Sequence, residues 1–121
     1  MGHTATATIT ATALVKNTVS TSLVANAGTA FTDASTLEVA YPREGKLLLI
    51  ITSTYAGANT VVVEGGEYHA GVLGDYQFAT AQNGVYYLVV DSDRFKDFDG
   101  MLNITFGTSN TGYVKALSLP Y

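Results

Sequence analysis

The chain has no cysteine and no tryptophan, only two prolines, and little charge for its 121 residues. Without cysteine there is no disulfide, no thiolate metal site and no thiol nucleophile. Charged residues make up 13% of the chain, below the roughly 25% common in soluble domains. The net charge is −4 and no basic cluster exists, which disfavours nucleic-acid binding, since phosphate contacts need Lys and Arg. Long hydrophobic runs are also missing. The longest, Leu47-Leu48-Leu49-Ile50-Ile51, is far short of the ~20 residues of a membrane-spanning helix, and no membrane partner is expected. The start, MGHTATATIT, lacks the basic region and apolar run of a signal peptide.

What remains is mostly Thr, Ala, Val, Leu, Tyr and Gly. Apolar residues reach 47%, which is not a disordered composition. β-Branched and aromatic residues recur between twelve glycines, and no stretch carries a 3.6-residue apolar period with caps. The pattern predicts strands at 4–14, 18–24, 37–41, 46–54, 59–64, 75–81, 84–91, 101–106 and 113–119. Asn83-Gly84 reads as a hairpin turn between 75–81 and 84–91, and 101–106 and 113–119 read as a last pair. Asp33 is expected to cap at most one helical turn. The fold expected is all-β: a single antiparallel β-sandwich over 1–121, jelly-roll-like, with eight or nine short strands.

Residues 91–100, DSDRFKDFDG, hold six of the sixteen charged residues. A calcium loop needs oxygen ligands at its first, third and fifth positions, Gly at the sixth and a bidentate Glu at the twelfth. Counted from Asp91, the fifth is Phe95 and the sixth Lys96. Counted so that Gly100 is sixth, the first is Phe95 and the twelfth Phe106. Both registers fail, so a turn is expected at Asp99-Gly100, with Phe95 and Phe98 tucked inward. Asp91, Asp93, Asp97 and Asp99 lie on one local stretch and do not suit the opposed carboxylates of glycoside hydrolysis. No Gly-x-Ser-x-Gly or phosphate-binding glycine loop is present. His69 lies in the glycine-flanked loop 65–71 and with Glu64 and Glu67 offers a metal or acid–base group, against the plainer reading of an exposed loop histidine. The expectation is a non-enzyme without metal or cofactor.

The N-terminal stretch sets Thr4, Thr6, Thr8, Thr10 and Thr12 on one face and Ala5, Ala7, Ile9, Ala11 and Ala13 on the other. A strand of such small side chains gains little from burial at about 25 cal/mol per Å². Residues 1–13 therefore read as an arm that pairs with another chain, or as an edge strand of the domain itself. The expected partner-binding residues are Thr4, Thr6, Thr8, Ile9, Thr10 and Thr12, with Tyr55, Tyr68 and His69 from two glycine-rich loops.

Several stretches carry a resemblance: Ala70-Gly-Val-Leu-Gly-Asp75, Asp91-Ser-Asp-Arg-Phe95, Asp99-Gly-Met-Leu-Asn-Ile-Thr-Phe106 and Ala116-Leu-Ser-Leu-Pro120, with Ala13-Leu-Val-Lys-Asn17 and Gly45-Lys-Leu-Leu-Leu-Ile50 upstream. In these the chain resembles small structural proteins encoded in tailed-phage and prophage structural regions. It departs by its extra acidic residues at 91–99 and by Tyr86-Tyr87. The resemblance implies a virion protein on the capsid exterior that decorates and cements the shell. Its implied partners are the major capsid protein and sister subunits in a homo-oligomer such as a trimer. The alternative is a carbohydrate- or receptor-binding β-sandwich, with Tyr41, Tyr55, Tyr68, Tyr76 and Tyr113 as its contact residues.

Overall fold

The computed structural model describes residues 6–17, 28–42, 46–90 and 93–120. The strand expected at 18–24 lies outside them, as do Thr4 and Asp91. Ten strands are described: β1 Ala7–Ile9, β2 Thr12–Ala13, β3 Thr29–Phe31, β4 Thr36–Ala40, β5 Lys46–Ser53, β6 Asn59–Val63, β7 Tyr76–Thr80, β8 Val85–Val90, β9 Met101–Phe106 and β10 Gly112–Leu119. They form two sheets. The front sheet runs β1-β4-β9-β6-β7, and the back sheet runs β2-β10-β5-β8 with β3 also on β10.

Alternation explains the layering. Leu37 and Val39, Leu47, Leu49 and Ile51, Val61 and Val63, Leu102 and Ile104, and Val114 and Ala116 all face one shared core. Each fully buried side chain of this size adds about 1.5–3 kcal/mol. Phe31 from the back sheet stacks on Phe106 from the front sheet, centroids 3.8 Å apart. Gly112 stands opposite Phe31 in register, and a side chain there would strike the Thr52 carbonyl first and then the Phe31 ring. That glycine leaves room for the aromatic pair that ties the two layers together.

Four of the antiparallel pairings nest. β3 pairs β10, β4 pairs β9, β5 pairs β8 and β6 pairs β7. Almost every connection therefore crosses from one sheet to the other. This corrects two expected hairpins. Gly84 N–H does donate to Ala81 O at 3.0 Å, with Asn83 at φ 60°. Yet β7 and β8 belong to different sheets, and so do β9 and β10. Turn chemistry reverses the chain locally; the burial of each strand decides its sheet.

The sheets are mixed rather than antiparallel, because β1 runs parallel to β4 and β2 parallel to β10. The expected single strand 4–14 is split at Thr10-Ala11, where the chain steps between sheets. Thr6, Thr8 and Thr10 are exposed while Ala7, Ile9 and Ala11 face inward. Past the step the phase reverses, with Thr12 half-buried and Ala13 exposed. Thr6 N–H donates to Thr36 O and Leu14 N–H to Ser118 O, so both ends of the segment are bonded to its own domain. Asp33 caps no helix. It sits in a turn closed by Ser35 N–H to Thr32 O, and its Oδ2 accepts from Ser109 N–H.

Candidate functional site

Two loops meet at one end of the sandwich. The 65–75 loop joins β6 to β7, and the 93–100 loop leads into β9. Asp75 Oδ1 closes the neck of the first loop by accepting Gly65 N–H at 2.7 Å. Within it, His69–Leu73 coil as a short 3-10 turn, preceded by the extended Tyr68. The second loop begins with another such turn, Asp93–Phe95, then reverses through Asp97–Gly100. Gly100 N–H donates to Asp97 O, Asp97 N–H to Met101 O, and Gly100 has φ 83°. The turn expected at Asp99-Gly100 is present.

The loops are fastened to each other. Gly66 N–H donates to Arg94 O at 2.8 Å, Glu67 N–H to Lys96 O at 3.0 Å, and Phe98 N–H to Glu67 Oε1 at 2.9 Å. Gly66 lies so close to the Lys96 backbone that a side chain there would overlap it. The Arg94 guanidinium reaches across to the carbonyls of Gly74 (3.2 Å) and Asp75 (3.3 Å). It also lies 4.9 Å from the Phe95 ring centre. Lys96 Nζ sits over the Tyr41 and Tyr68 rings, at 5.3 and 5.8 Å. These two cations bind loop carbonyls and ring faces, a role their position among four aspartates does not suggest.

Beneath the loops, Asp97 is buried and accepts from Asn103 Nδ2 at 2.7 Å. Tyr41 lies under the same turn. Burial holds its hydroxyl well above the usual tyrosine range, and the charges of Asp93 and Asp97 add to the rise, against a hydrogen bond from the Phe95 backbone. Among the described residues no three His, Asp or Glu side chains converge to hold an ion. Glu67 is spent on the Phe98 amide, and His69 is exposed at the start of the 3-10 turn.

On top of this bonded base stand apolar side chains in solvent. Val72 is 80% exposed, Leu73 68% and Phe98 67%. Phe98 therefore does not tuck inward with the buried Phe95. It meets Tyr68 edge to face at 5.1 Å. Of the expected contact residues, Tyr68 and His69 belong to this knob. Thr6, Thr8 and Thr10 are exposed on the opposite end of the strand order, at the β1 edge. Thr12 and Tyr55 are half-buried. Ile9 is only 7% exposed and belongs to the core, which removes it from any contact surface. Sequence reasoning missed Val72, Leu73 and Phe98. The signal was present in Gly71-Val-Leu-Gly74, two apolar residues between glycines, where no strand could bury them.

A second apolar surface lies where, among the described residues, β7 and β8 end their sheets. Between them opens a cleft of about 320 Å³ lined by Ile51, Phe78, Tyr86 and Leu88, among others. Val85, Tyr87 and Val89 stand on the outer face of β8, and Tyr87 is 68% exposed. Tyr87, absent from the expected contact tyrosines, is the most exposed of those described, while Tyr41, Tyr55 and Tyr113 are half-buried.

No family model, curated protein or solved structure matches this chain.

Proposed function

We propose that this chain is an adhesive structural protein of a phage particle, which decorates the capsid exterior and docks on the shell through the 65–75 and 93–100 loops. One observation carries the reading. Of the stretches that resemble phage structural proteins, Ala70–Asp75, the described end of Asp91–Phe95 and the start of Asp99–Phe106 are separate in sequence but lie in the two loops of this knob, and Arg94 bonds the first two through the Gly74 and Asp75 carbonyls. There they display Val72, Leu73 and Phe98 to solvent. Exposed Glu67, Asp93 and Asp99 in the same two loops give the mixed polar and apolar composition of a protein interface. A loop already fixed by hydrogen bonds loses little freedom on docking. Many symmetric copies on one shell would multiply a modest contact by avidity.

The nested pairings of β3–β10, β4–β9, β5–β8 and β6–β7 support a jelly roll, in which an eight-strand antiparallel ribbon is wound into two sheets. β1 and β2 are then additions at one side. The test is co-sedimentation with capsids that lack this protein. Leu73→Asp combined with Phe98→Asp should leave a folded β protein and weaken attachment at least tenfold, on the order of 1.4 kcal/mol. Unchanged attachment rules out the knob. Failure of the parent chain to sediment with capsids, alongside binding on a glycan array, would favour the carbohydrate- or receptor-binding alternative.

A further inference from the structure

We infer that two copies of this chain pair edge to edge through β8, antiparallel about a two-fold axis centred on Tyr87. The pairing stands apart from whatever the loop knob binds, and it rests on four observations.

The first is the free edge. Among the described residues β8 pairs only with β5. Ser53 N–H donates to Gly84 O at 3.0 Å, so the Gly84 backbone faces β5. By the alternation of an antiparallel ladder, Tyr86 and Leu88 face β5 as well. The N–H and C=O groups of Val85, Tyr87 and Val89 then point to the open side.

The second is the lack of protection. Exposed edges are normally guarded by Lys, Pro or bulges. Residues 76–90, YQFATAQNGVYYLVV, contain no Lys, Arg, Asp, Glu or Pro. The third is apolarity on both faces. Val85, Tyr87 and Val89 are exposed outward, and Tyr86 and Leu88 are only half-buried inward.

The fourth selects the occupant. An isologous interface must be complementary to itself. Val85-Tyr-Tyr-Leu-Val89 reads nearly the same in both directions. With Tyr87 on the axis, Val85 falls opposite Val89 of the second copy, and Tyr86 opposite Leu88. Tyr87 falls opposite itself, an aromatic cross-strand pair. The three outward-facing residues of each copy then make about six hydrogen bonds across the joint. A charge near a two-fold axis would meet its own image, and this strand carries none.

Sedimentation velocity of the full chain over a wide concentration range reads the assembly directly. Two 12.7 kDa chains per particle are expected. Tyr87→Lys and Tyr87→Glu should each weaken the dimer at least tenfold, by about 1.4 kcal/mol, with an unchanged circular dichroism spectrum. Mixed in equal amounts, the two variants should pair again, because the opposite charges then face each other across the axis. If Tyr87→Lys does not fold, Val89→Lys mixed with Val85→Glu asks the same question one pair away. A monomer at every concentration, a trimer, a dimer indifferent to Tyr87→Lys, or charge variants that fail to recover on mixing would each overturn the pairing.

Discussion

The two lateral sides of the sandwich are finished differently. On one side residues 6–14 lay β1 along β4 and β2 along β10, and the Thr10-Ala11 step spans the gap between the sheets. Ile9 fills the core there, while the threonines coat the outside with hydroxyls. On the other side β7 and β8 end their sheets, with an aromatic cleft between them and Val85, Tyr87 and Val89 outside. The same problem, a sheet edge, is met by a polar strand of the chain's own on one side, while on the other, among the described residues, β7 and β8 have no outer neighbour. The exposed side chains tell the two edges apart, threonine on one and Val85, Tyr87 and Val89 on the other.

The sharpest way to break this comparison is to remove the strap's single large inward residue. Ile9→Ala should cost about 2–5 kcal/mol in urea unfolding. Leu88→Ala, inward on the open side but only half-buried, should cost roughly 1–2 kcal/mol because less area leaves water. Equal losses would mean that the sides are alike. Deleting residues 2–13 should cost more than Ile9→Ala, since it also bares the outer edges of β4 and β10. An arm devoted to partner binding would instead come off with the domain's stability intact.

Much of the layering was legible from alternation. The strands read at 46–54 and 101–106 are found at Lys46–Ser53 and Met101–Phe106. The inward phase of Ala7, Ile9 and Ala11 was also readable. Sheet membership was not. Asn83-Gly84 encodes a reversal with positive φ, and nothing local says whether the returning strand pairs with the outgoing one or crosses the core. β3 escaped notice because three residues around Phe31 carry no period; its signal is the Phe106 ring and the bare Gly112 that face it. Of the site, Tyr68 and His69 were legible as loop residues. The burial of Asp97 beneath its neighbours depends on Asn103, six residues away on β9.

The next effect in size lies under the knob. Asn103→Ala removes the 2.7 Å bond to buried Asp97 and should cost about 1–3 kcal/mol in urea unfolding. A loss within 0.5 kcal/mol would mean that Asp97 finds water instead. Tyr41 gives a pH test of the same region. Above pH about 10 the unfolded chain releases this proton while the folded chain keeps it. The folded state then binds more protons, so stability falls as pH rises, by at most about 1.4 kcal/mol per unit. Tyr41→Phe should remove that part of the alkaline slope and leave the slope below pH 9 unchanged. A parent and variant that unfold in parallel up to pH 11 would place Tyr41 in solvent.

The smallest expected effect is the most telling for the open side. Val85→Thr keeps a β-branched residue on β8 and changes one outward methyl to a hydroxyl. In a dilute sample, where any dimer has dissociated, the substitution should shift stability by less than about 0.5 kcal/mol. At high protein concentration it should lower the melting temperature, because a dimer adds stability by mass action and the hydroxyl would then be buried against Val89 of the second copy. Concentration thus separates two readings that a single melt confuses. A loss above about 1.5 kcal/mol in the dilute monomer would show that Val85 is already covered by its own chain. The two sides of the sandwich would then both be closed, and the asymmetry between them would disappear.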